Sequence, residues 1–299
     1  MTRERPTRAT TAGRAYLDLQ NLARRQRRPT DELQQLYALE GFLARLTSSA
    51  YAGALVLKGG VLLAAYDARR PTRDIDVQAP GMAGEPTEIL GIVREIAAIG
   101  ADDGLVFHPD TATAEIIRDE DAYSGVRVAM AAALPPARLS LHIDVNVGDP
   151  IVPAPQILEV PRILGGTISL PGYPLPMVFA EKIVTALQRG TVNTRWRDFA
   201  DIYLLAGRHP VGHAELRRAL TTVAGYRQVE LSPLRVALVR YAEIAQPRWF
   251  AWRRKQHLED RLPSSFADVV DDVTRFADPA TTIDDGAERR WDPRTRRWT

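Results

Sequence analysis

Two short segments of the chain alternate strictly between polar and aliphatic residues. They span residues 74–77 and 141–147. Such alternation predicts β-strands, because successive side chains of a strand point to opposite faces of its sheet. Both segments therefore need a sheet with one buried face and one polar face. Asp74 and Asp76 share the polar face of the first strand, and Asp144 joins them if the two strands are neighbours.

Three carboxylates on one face need a positive partner, because like charges at short range destabilise one another. Mg²⁺ is the economical cation, since this hard ion takes carboxylate and phosphate oxygens. Two such ions would hold both the attacking and the leaving oxygen of a nucleotidyl transfer. We therefore predict Asp74, Asp76 and Asp144 as metal ligands. A solvated strand edge remains the simpler interpretation of an Asp-x-Asp pair taken alone.

A glycine turn joins a short aliphatic segment to a predicted helix. It consists of Lys58-Gly59-Gly60, and helical residues 61–66 follow it. Two glycines let the backbone approach a ligand, and the start of a helix offers free N–H groups to an anion. The spacing matches neither a Walker A loop nor a dinucleotide-binding G-x-G-x-x-G motif. Together with Arg73 downstream, the turn predicts a place for a triphosphate.

The composition excludes several classes of protein. The chain has no cysteine, which rules out disulfide frameworks, thiolate metal sites and cysteine nucleophiles. No apolar run approaches the length of a membrane-spanning helix. The basic N-terminal residues lead into no apolar signal core, so we expect a cytoplasmic protein. The five histidines show no metal-ligand spacing, although the alternation of the second strand points His142 towards the carboxylate face.

The period of the apolar residues changes along the chain. Strand and helix patterns alternate in the first half, whereas helical spacing dominates from Met177 onward. We therefore predict an α/β (α+β) fold for the first half, followed by a mostly α-helical C-terminal lobe. The Pro- and Gly-rich residues 148–176 predict an extended connector. The expected organisation has four parts: a basic arm (1–28), a catalytic domain (29–176), a helical lobe (177–279) and a disordered tail (280–299).

Two helices of the predicted lobe carry candidate site residues. An apolar stripe runs along the first helix and leaves Lys182 and Arg189 on another face. Lys182 is thus a flexible point charge suited to phosphates, with an ordinary surface lysine as the alternative. In the next helix, Asp198 and Asp201 project together with Arg195, and a surface ion pair explains Asp201.

These motifs together resemble a known family. Residues 57–76, with Lys58-Gly59-Gly60 and Thr72-Arg73-Asp74-Ile75-Asp76, resemble motif I of the polymerase-β-type nucleotidyltransferase superfamily. In detail they are similar to the AbiEii/AbiGii toxin family of type IV toxin–antitoxin systems, which includes mycobacterial toxins that add nucleotides to tRNA. Residues 180–202 resemble the second block of that family. The chain departs from the pattern at Gly60, where the superfamily usually has serine, and at Arg197, where lysine is usual.

The resemblance implies a polymerase-β-type fold, with a mixed sheet and flanking helices, and a role for each matched residue. It implies that Asp198 is a required acid and that Thr72 is a site of regulatory phosphorylation at the mouth of the site. The alternative for Thr72 is a turn threonine without a functional role. The implied catalytic residues are Asp74, Asp76, Asp144, Lys182 and Asp198. The implied nucleotide-binding residues are Lys58, Gly59, Gly60, Arg73, Lys182 and Arg189.

Basic residues cluster in three regions: residues 1–28, the stretch around Trp249 and Trp252, and the last eleven residues. Cations interleaved with flat aromatic rings suit a phosphate backbone and unpaired bases. We therefore predict that Arg253, Arg254 and Lys255 contact tRNA. The alternative is that this cluster only solvates a helix whose tryptophans turn into the core.

The leading functional hypothesis is a Mg²⁺-dependent toxin that transfers NMP from NTP to the 3′ end of tRNA and releases pyrophosphate. Its implied partners are NTP, the tRNA acceptor end and a cognate antitoxin, and we expect a monomer. One alternative keeps the chemistry on a small molecule, as in the similar aminoglycoside nucleotidyltransferases. Another is a nucleic-acid-binding or partner-binding module with a vestigial site.

Overall fold

A computed structural model of the chain describes residues 5–118, 124–282 and 288–299. The contacts within it define two compact units. The first unit is formed by Met1–Asp149 and Gln156–Gly172, and the second by Pro150–Pro155 and Tyr173–Thr299. The boundary thus falls a few residues before the predicted start of the helical lobe.

The first unit is built on an eight-stranded mixed sheet. Its strands are β1 (Val56–Lys58), β2 (Asp74–Gln78), β3 (Val106–Phe107), β4 (Thr113–Arg118), β5 (Ser124–Leu134), β6 (Ala137–Asn146), β7 (Gln156–Pro161) and β8 (Thr167–Gly172). The strand order is β3-β5-β6-β2-β1-β8-β7, and β4 pairs with β5. The pairs β2–β6 and β1–β8 are parallel, and the other pairs are antiparallel. The predicted mixed α/β fold is confirmed.

Helices flank this sheet and cover its apolar side. They are α1 (Thr11–Gln26), α2 (Thr30–Thr47), the single-turn α3 (Gly59–Leu62) and α4 (Pro86–Ala98). The aliphatic residues that alternate with the acids, Ile75 and Val77 on β2 and Ile143 and Val145 on β6, are at most 1% exposed. Burial of this aliphatic set fixes the strand orientation, because a slip of one residue would turn the acids into the core.

The segment predicted as a basic arm forms a helix of the first unit. Thr10 caps α1 by accepting a hydrogen bond from the Gly13 N–H, and Leu19 and Ala23 are buried where α1 packs on α2. The arginines of this segment mask that short apolar stripe in the sequence. Residues 1–4 of the predicted arm lie outside the described residues.

The segment predicted as an extended connector contains the β7–β8 hairpin. The hairpin extends the main sheet, because β8 pairs in parallel with β1. Pro161 is compatible with this structure, since it lies at the end of the edge strand β7. The high Pro and Gly content therefore obscured two strands.

The second unit is mainly helical. Its helices are α5 (Leu175–Arg189), α6 (Trp196–Ala206), α7 (His213–Arg227), α8 (Leu234–Ala237), α9 (Tyr241–Lys255) and α10 (Phe266–Thr282). Residues 238–240 separate α8 from α9, and Arg240 has a φ of 62°. None of the described helices is both long enough and apolar enough to cross a membrane.

The C-terminal residues predicted as disordered form part of a small sheet. The strands β9 (Val211–Gly212), β10 (Arg290–Asp292) and β11 (Arg297–Trp298) pair antiparallel in the order β11-β10-β9. Trp291 is 1% exposed and donates its Nε1–H to the Ala206 carbonyl at 2.7 Å. Trp298 stacks on Phe276. The buried Trp291 and the half-buried Trp298 therefore anchor a segment whose arginines suggested a solvated tail. Residues 283–287 lie outside the described residues.

Candidate active site

Five charged residues lie side by side across five neighbouring strands of the main sheet. Strand pairing places Lys58 opposite Asp76, Asp76 opposite Asp144, Asp144 opposite Arg127, and Arg127 opposite Glu115. Residues directly opposite each other on paired strands project from the same face. We call this set the charged row. It shows that the strands of Asp76 and Asp144 are neighbours, which is the condition under which Asp144 joins the acid pair.

Asp74 lies two residues before Asp76 on β2, and it therefore shares the face of the charged row. Its neighbour on β6 is His142, whose Nδ1 is 3.3 Å from Asp74 Oδ1. The sequence-based orientation of His142 towards the carboxylates is confirmed.

Asp144 forms an ion pair with an arginine of the neighbouring strand. Arg127 donates Nε–H to Asp144 Oδ1 at 2.8 Å and Nη2–H to Oδ2 at 2.7 Å, a bidentate pair that raises the pKa of Arg127 above its usual value. Within the described ranges, no three acidic or histidine side chains are gathered as a metal-binding group. The three acids share a face, and Arg127 pairs with the third. The binding of a metal by Asp74, Asp76 and Asp144 stays a prediction.

The two glycines of the turn make room for side chains of the same site. Gly59 has a φ of +68°, and a Cβ built there would come within 1.9 Å of Asp76 Oδ2. A Cβ at Gly60 would come within 2.5 Å of Thr72 Oγ1. The Asp76 carboxylate thus packs directly against the turn. The helix predicted after the turn is confirmed, because α3 continues directly into a 3-10 helix over Leu63–Tyr66.

We expect Gly59→Ala to destabilise the protein by at least about 1–2 kcal/mol, the cost of a left-handed backbone at a residue with a Cβ. The new methyl group must also displace the Asp76 carboxylate. Gly91→Ala is the matched control, because Gly91 lies within α4 and its Cβ would meet nothing within 4 Å. The control should stabilise the protein by about 0.5–1 kcal/mol. Urea denaturation measures both, and equal free energies of unfolding would contradict the packing described for Gly59.

The structure brings the predicted triphosphate residues of the first unit close to the acid pair. Lys58 is buried, it neighbours Asp76 in the charged row, and its Nζ is 3.8 Å from Asp149 Oδ2. Arg73 is exposed immediately before Asp74. Thr72 is half-buried, and its hydroxyl lies 3.4 Å from the Asp74 carbonyl oxygen.

A second charged cluster lies within the second unit. Lys182 donates from Nζ to Asp198 Oδ1 and to Asp201 Oδ2, both at 2.8 Å, and Arg195 Nε is 3.3 Å from Asp198 Oδ2. Burial opposes ionisation of Asp198, but the charges of Lys182 and Arg195 outweigh it and lower the pKa of Asp198 to about 2. Asp201 is 1% exposed, so the prediction that it forms a surface ion pair is wrong. Arg189, at the end of α5, is half-buried.

The predicted tRNA contacts on α9 divide into buried and exposed residues. Arg254 and Lys255 are exposed. Arg253 is buried and donates to the carbonyls of Leu262 and Glu259 at 2.9 and 2.8 Å, so it belongs to the packing of the helix end. Trp249 is fully buried and stacks on Phe266, which removes it as a platform for bases.

Comparisons with known proteins place this chain near nucleotidyltransferases. The sequence profile of the nucleotidyl transferase AbiEii toxin of type IV toxin–antitoxin systems matches residues 41–290, which include the charged row and the Lys182 cluster. A search of curated proteins found no match.

Two similar solved structures come from Helicobacter pylori. One is a proposed nucleotidyltransferase, 14% identical, with a TM-score of 0.47 over 82% of this chain and 93% of the other. The second is the protein JHP933, 13% identical, with a TM-score of 0.47 over 82% of this chain and 90% of the other.

Proposed function

The chain belongs to the AbiEii nucleotidyltransferase toxin family of type IV toxin–antitoxin systems, and from this premise we propose that it transfers NMP from NTP to the 3′ end of tRNA. Pyrophosphate leaves, and the modified tRNA can no longer be aminoacylated. The observation that carries the proposal is the position of Asp74 and Asp76 on one polar face beside the Gly59 turn.

Asp74 and Asp76 fit a Mg²⁺ ion by donor type. Mg²⁺ is usually held by one or two carboxylates together with substrate phosphates and water. Asp76 is also fixed in place, because its carboxylate packs where any side chain at position 59 would lie. When bound, the ion would neutralise phosphate oxygens and make the attacking hydroxyl a better nucleophile. We therefore propose these two residues as metal-binding carboxylates, with Asp144 opposite Asp76 on β6 as the third.

Cations near the acid pair are proposed to bind the triphosphate. Arg73 is exposed next to Asp74, and Lys58 lies beside Asp76 in the charged row. Within the second unit, the family resemblance supports Lys182 and Arg189 as triphosphate residues and Asp198 as a required acid. There, Asp198 orients the Lys182 ammonium through a charge-assisted hydrogen bond.

Exposed cations support an anionic acceptor. Arg254 and Lys255 are exposed at the end of α9, and several arginines of α1 are exposed as well. We propose Arg254 and Lys255 as the tRNA contacts of the second unit. A small antibiotic would not need cations outside the catalytic pocket, because it lacks the extended phosphate backbone of RNA.

Regulation is proposed at Thr72, with the cognate antitoxin of the system as the partner. A phosphate on Thr72 would add roughly −1.5 to −2 charges close to Asp74 and Asp76. It would compete with the triphosphate for Lys58 and Arg73. The close packing of Thr72 on Gly60 supports a local rearrangement of the turn when the residue is modified.

The direct test is incubation of the purified protein with each α-labelled NTP, Mg²⁺ and total tRNA, with aminoglycosides as parallel acceptors. We expect labelled tRNA, and we expect the rate to fall steeply with salt, by about 0.7–0.9 in log–log slope for each neutralised phosphate. Arg254→Glu/Lys255→Glu should flatten this slope. Label on aminoglycosides alone would favour the small-molecule acceptor, and no label on any acceptor would favour a binding module.

A further inference from the structure

Glu40 is a carboxylic acid in the core of the first unit. Its side chain is 0% exposed, and its neighbours along α2 include the buried Leu39 and Phe42. The pKa of Glu40 is raised, because the effect of burial exceeds the opposing effect of Arg69. A buried charge is costly unless it is paired and hydrogen-bonded. The packing of α2 alone therefore does not account for an acid at this position.

Both carboxylate oxygens of Glu40 accept hydrogen bonds from segments that are distant in the sequence. Oε1 accepts from Arg69 Nη1 at 2.7 Å, and Oε2 accepts from the Ile163 N–H at 2.9 Å. Arg69, whose side chain is 24% exposed, also donates from Nη2 to the Pro161 carbonyl. Glu40 thus joins α2 to the segment that precedes β2 and to the turn between β7 and β8.

The segment from Arg69 to Arg73 contains no helix or strand, so its conformation depends on the contacts that other elements make with it. Gln35, on the same helix as Glu40, donates from Nε2 to the Ser140 carbonyl at 2.8 Å and to the Arg73 carbonyl at 3.3 Å. The helix α2 therefore holds the segment at both ends, at Arg69 through Glu40 and at Arg73 through Gln35. We call these two contacts the α2 clamp.

The clamped segment leads directly into the candidate site. It contains Thr72, and Arg73 at its end is exposed immediately before Asp74. Holding the Arg73 carbonyl fixes the start of β2, and with it the direction in which the Arg73 side chain leaves the backbone. A binding group that is already held in its bound position loses less conformational entropy when the ligand binds. The clamp is therefore suited to preorganise Arg73.

We infer that Glu40 and Gln35 are positioning residues for the nucleotide, which hold Arg69 and the Arg73 carbonyl so that the Arg73 guanidinium is presented to the triphosphate. The inference rests on the proposed function, because it assumes that Arg73 binds the triphosphate. Neither Glu40 nor Gln35 touches the nucleotide in this scheme. Their effect on nucleotide binding must therefore pass through Arg73.

Glu40→Gln separates the two partners of Glu40. The carboxylate accepts from Arg69 and from the Ile163 N–H through different oxygens, whereas an amide places an NH2 group against one of these two donors. We expect Glu40→Gln to weaken NTP binding on the order of tenfold, the scale of losing a hydrogen-bonded support behind a ligand-binding group. Equilibrium dialysis of the full-length protein with each α-labelled NTP and Mg²⁺, without tRNA, measures the dissociation constant.

Asp103→Asn is the matched control. Asp103 accepts hydrogen bonds from Arg45 of the same helix at 2.6 and 3.1 Å, and the two side chains are 10% and 3% exposed. This ion pair joins α2 to the loop before β3 and makes no contact with the clamped segment. Its loss should also lower the free energy of unfolding in urea, but it should leave NTP affinity unchanged. A loss of affinity in Glu40→Gln alone therefore reports position and not general stability.

Arg73→Ala shows whether the effect passes through Arg73. It should weaken NTP binding, and Glu40→Gln/Arg73→Ala should bind no more weakly than Arg73→Ala, because the clamp has then lost the group that it positions. Losses that add would show that Glu40 acts elsewhere, and they would overturn the inference. Gln35→Ala tests the other end of the clamp at a half-buried residue, and it should weaken NTP binding by a smaller factor than Glu40→Gln.

Two further results would overturn the inference and leave the proposed function standing. In the first, Arg73→Ala weakens NTP binding whereas folded Glu40→Gln binds NTP as the wild type does. In the second, Glu40→Gln and Asp103→Asn weaken it equally. If circular dichroism shows that Glu40→Gln does not fold, Gln35→Ala takes its place, and wild-type affinity then overturns the inference. If the wild type binds no NTP, or Arg73→Ala binds it normally, the proposed role of Arg73 fails together with the inference.

Discussion

Asp76→Asn should lower the rate of nucleotidyl transfer by about a hundred- to a thousand-fold, which corresponds to roughly 3–4 kcal/mol of lost transition-state stabilisation. The amide keeps the size of the side chain but removes the negative charge that we propose holds the metal. It also leaves the packing against Gly59 intact. The fold should survive, because the substitution takes one of two neighbouring negative charges out of the charged row.

The measurement is single-turnover transfer of labelled NMP at saturating Mg²⁺. Asp110→Asn is the matched control, an exposed acid of the same unit that lies away from the charged row, and it should transfer at the wild-type rate. Normal turnover of the Asp76→Asn enzyme would remove Asp76 from the metal site. A loss that disappears at higher Mg²⁺ concentration would instead indicate weakened metal binding with the chemistry preserved.

The acids of the first unit could be placed from the sequence because a strand has a period of two. Alternation with buried aliphatic residues determines which face Asp74, Asp76 and Asp144 occupy, whatever the rest of the fold does. For Asp144 to lie beside the other two acids, β2 only had to pair with β6, and these strands do pair. The local pattern was therefore sufficient for the polar face, although not for the partners of each acid.

Arg127 was missed because its role depends on strand register. It is the lone charged residue of the segment Ser124–Leu134, which signals a special position, but nothing local identifies Asp144 as its partner. The prediction of a surface ion pair for Asp201 was wrong for a related reason. A surface pair at i and i+3 explains it within one helix, whereas its actual partner, Lys182, comes from another helix.

The α9 cluster contained a signal that was overlooked. Tyr241, Ala245, Trp249 and Arg253 are spaced by four residues, and all four are buried. Helical spacing thus places Arg253 on the same face as Trp249 and separates it from the exposed Arg254 and Lys255. Composition indicated a basic and aromatic surface, but the helical period divides that surface into a packed stripe and a solvated one.

Lys182→Met should both destabilise the protein and stop transfer. Lys182 lies off the apolar stripe of its helix, so the sequence alone gives no reason for the fold to depend on this side chain. In the structure, however, Lys182 neutralises two buried carboxylates. Removing one partner of a buried ion pair costs about 3–5 kcal/mol, because the remaining charge stays buried. The free energy of unfolding at pH 7, measured with urea, should fall by this amount.

The pH dependence identifies Asp198 as the group that loses its partner. The pKa of Asp198 is lowered to about 2 in the folded protein, so its ionisation stabilises the fold above the unfolded pKa near 3.8 and ceases to do so as pH falls towards 2. In the Lys182→Met variant, the positive charge of Lys182 no longer opposes the effect of burial, and the pKa of Asp198 therefore rises. The stability difference between the two proteins should therefore shrink by roughly 2 kcal/mol between pH 5 and pH 2.

A second variant separates the structural role of Lys182 from its role in transfer. Lys182→Met/Asp201→Asn removes one positive and one negative charge, and it leaves Asp198 with Arg195. It should regain much of the lost stability, because only one buried carboxylate remains and that one is paired. If Lys182 also binds the triphosphate, the double variant stays inactive although it is folded. Recovery of transfer in the double variant would show that the lysine serves only to neutralise the two aspartates, and the triphosphate would then have to be bound by Lys58 and Arg73.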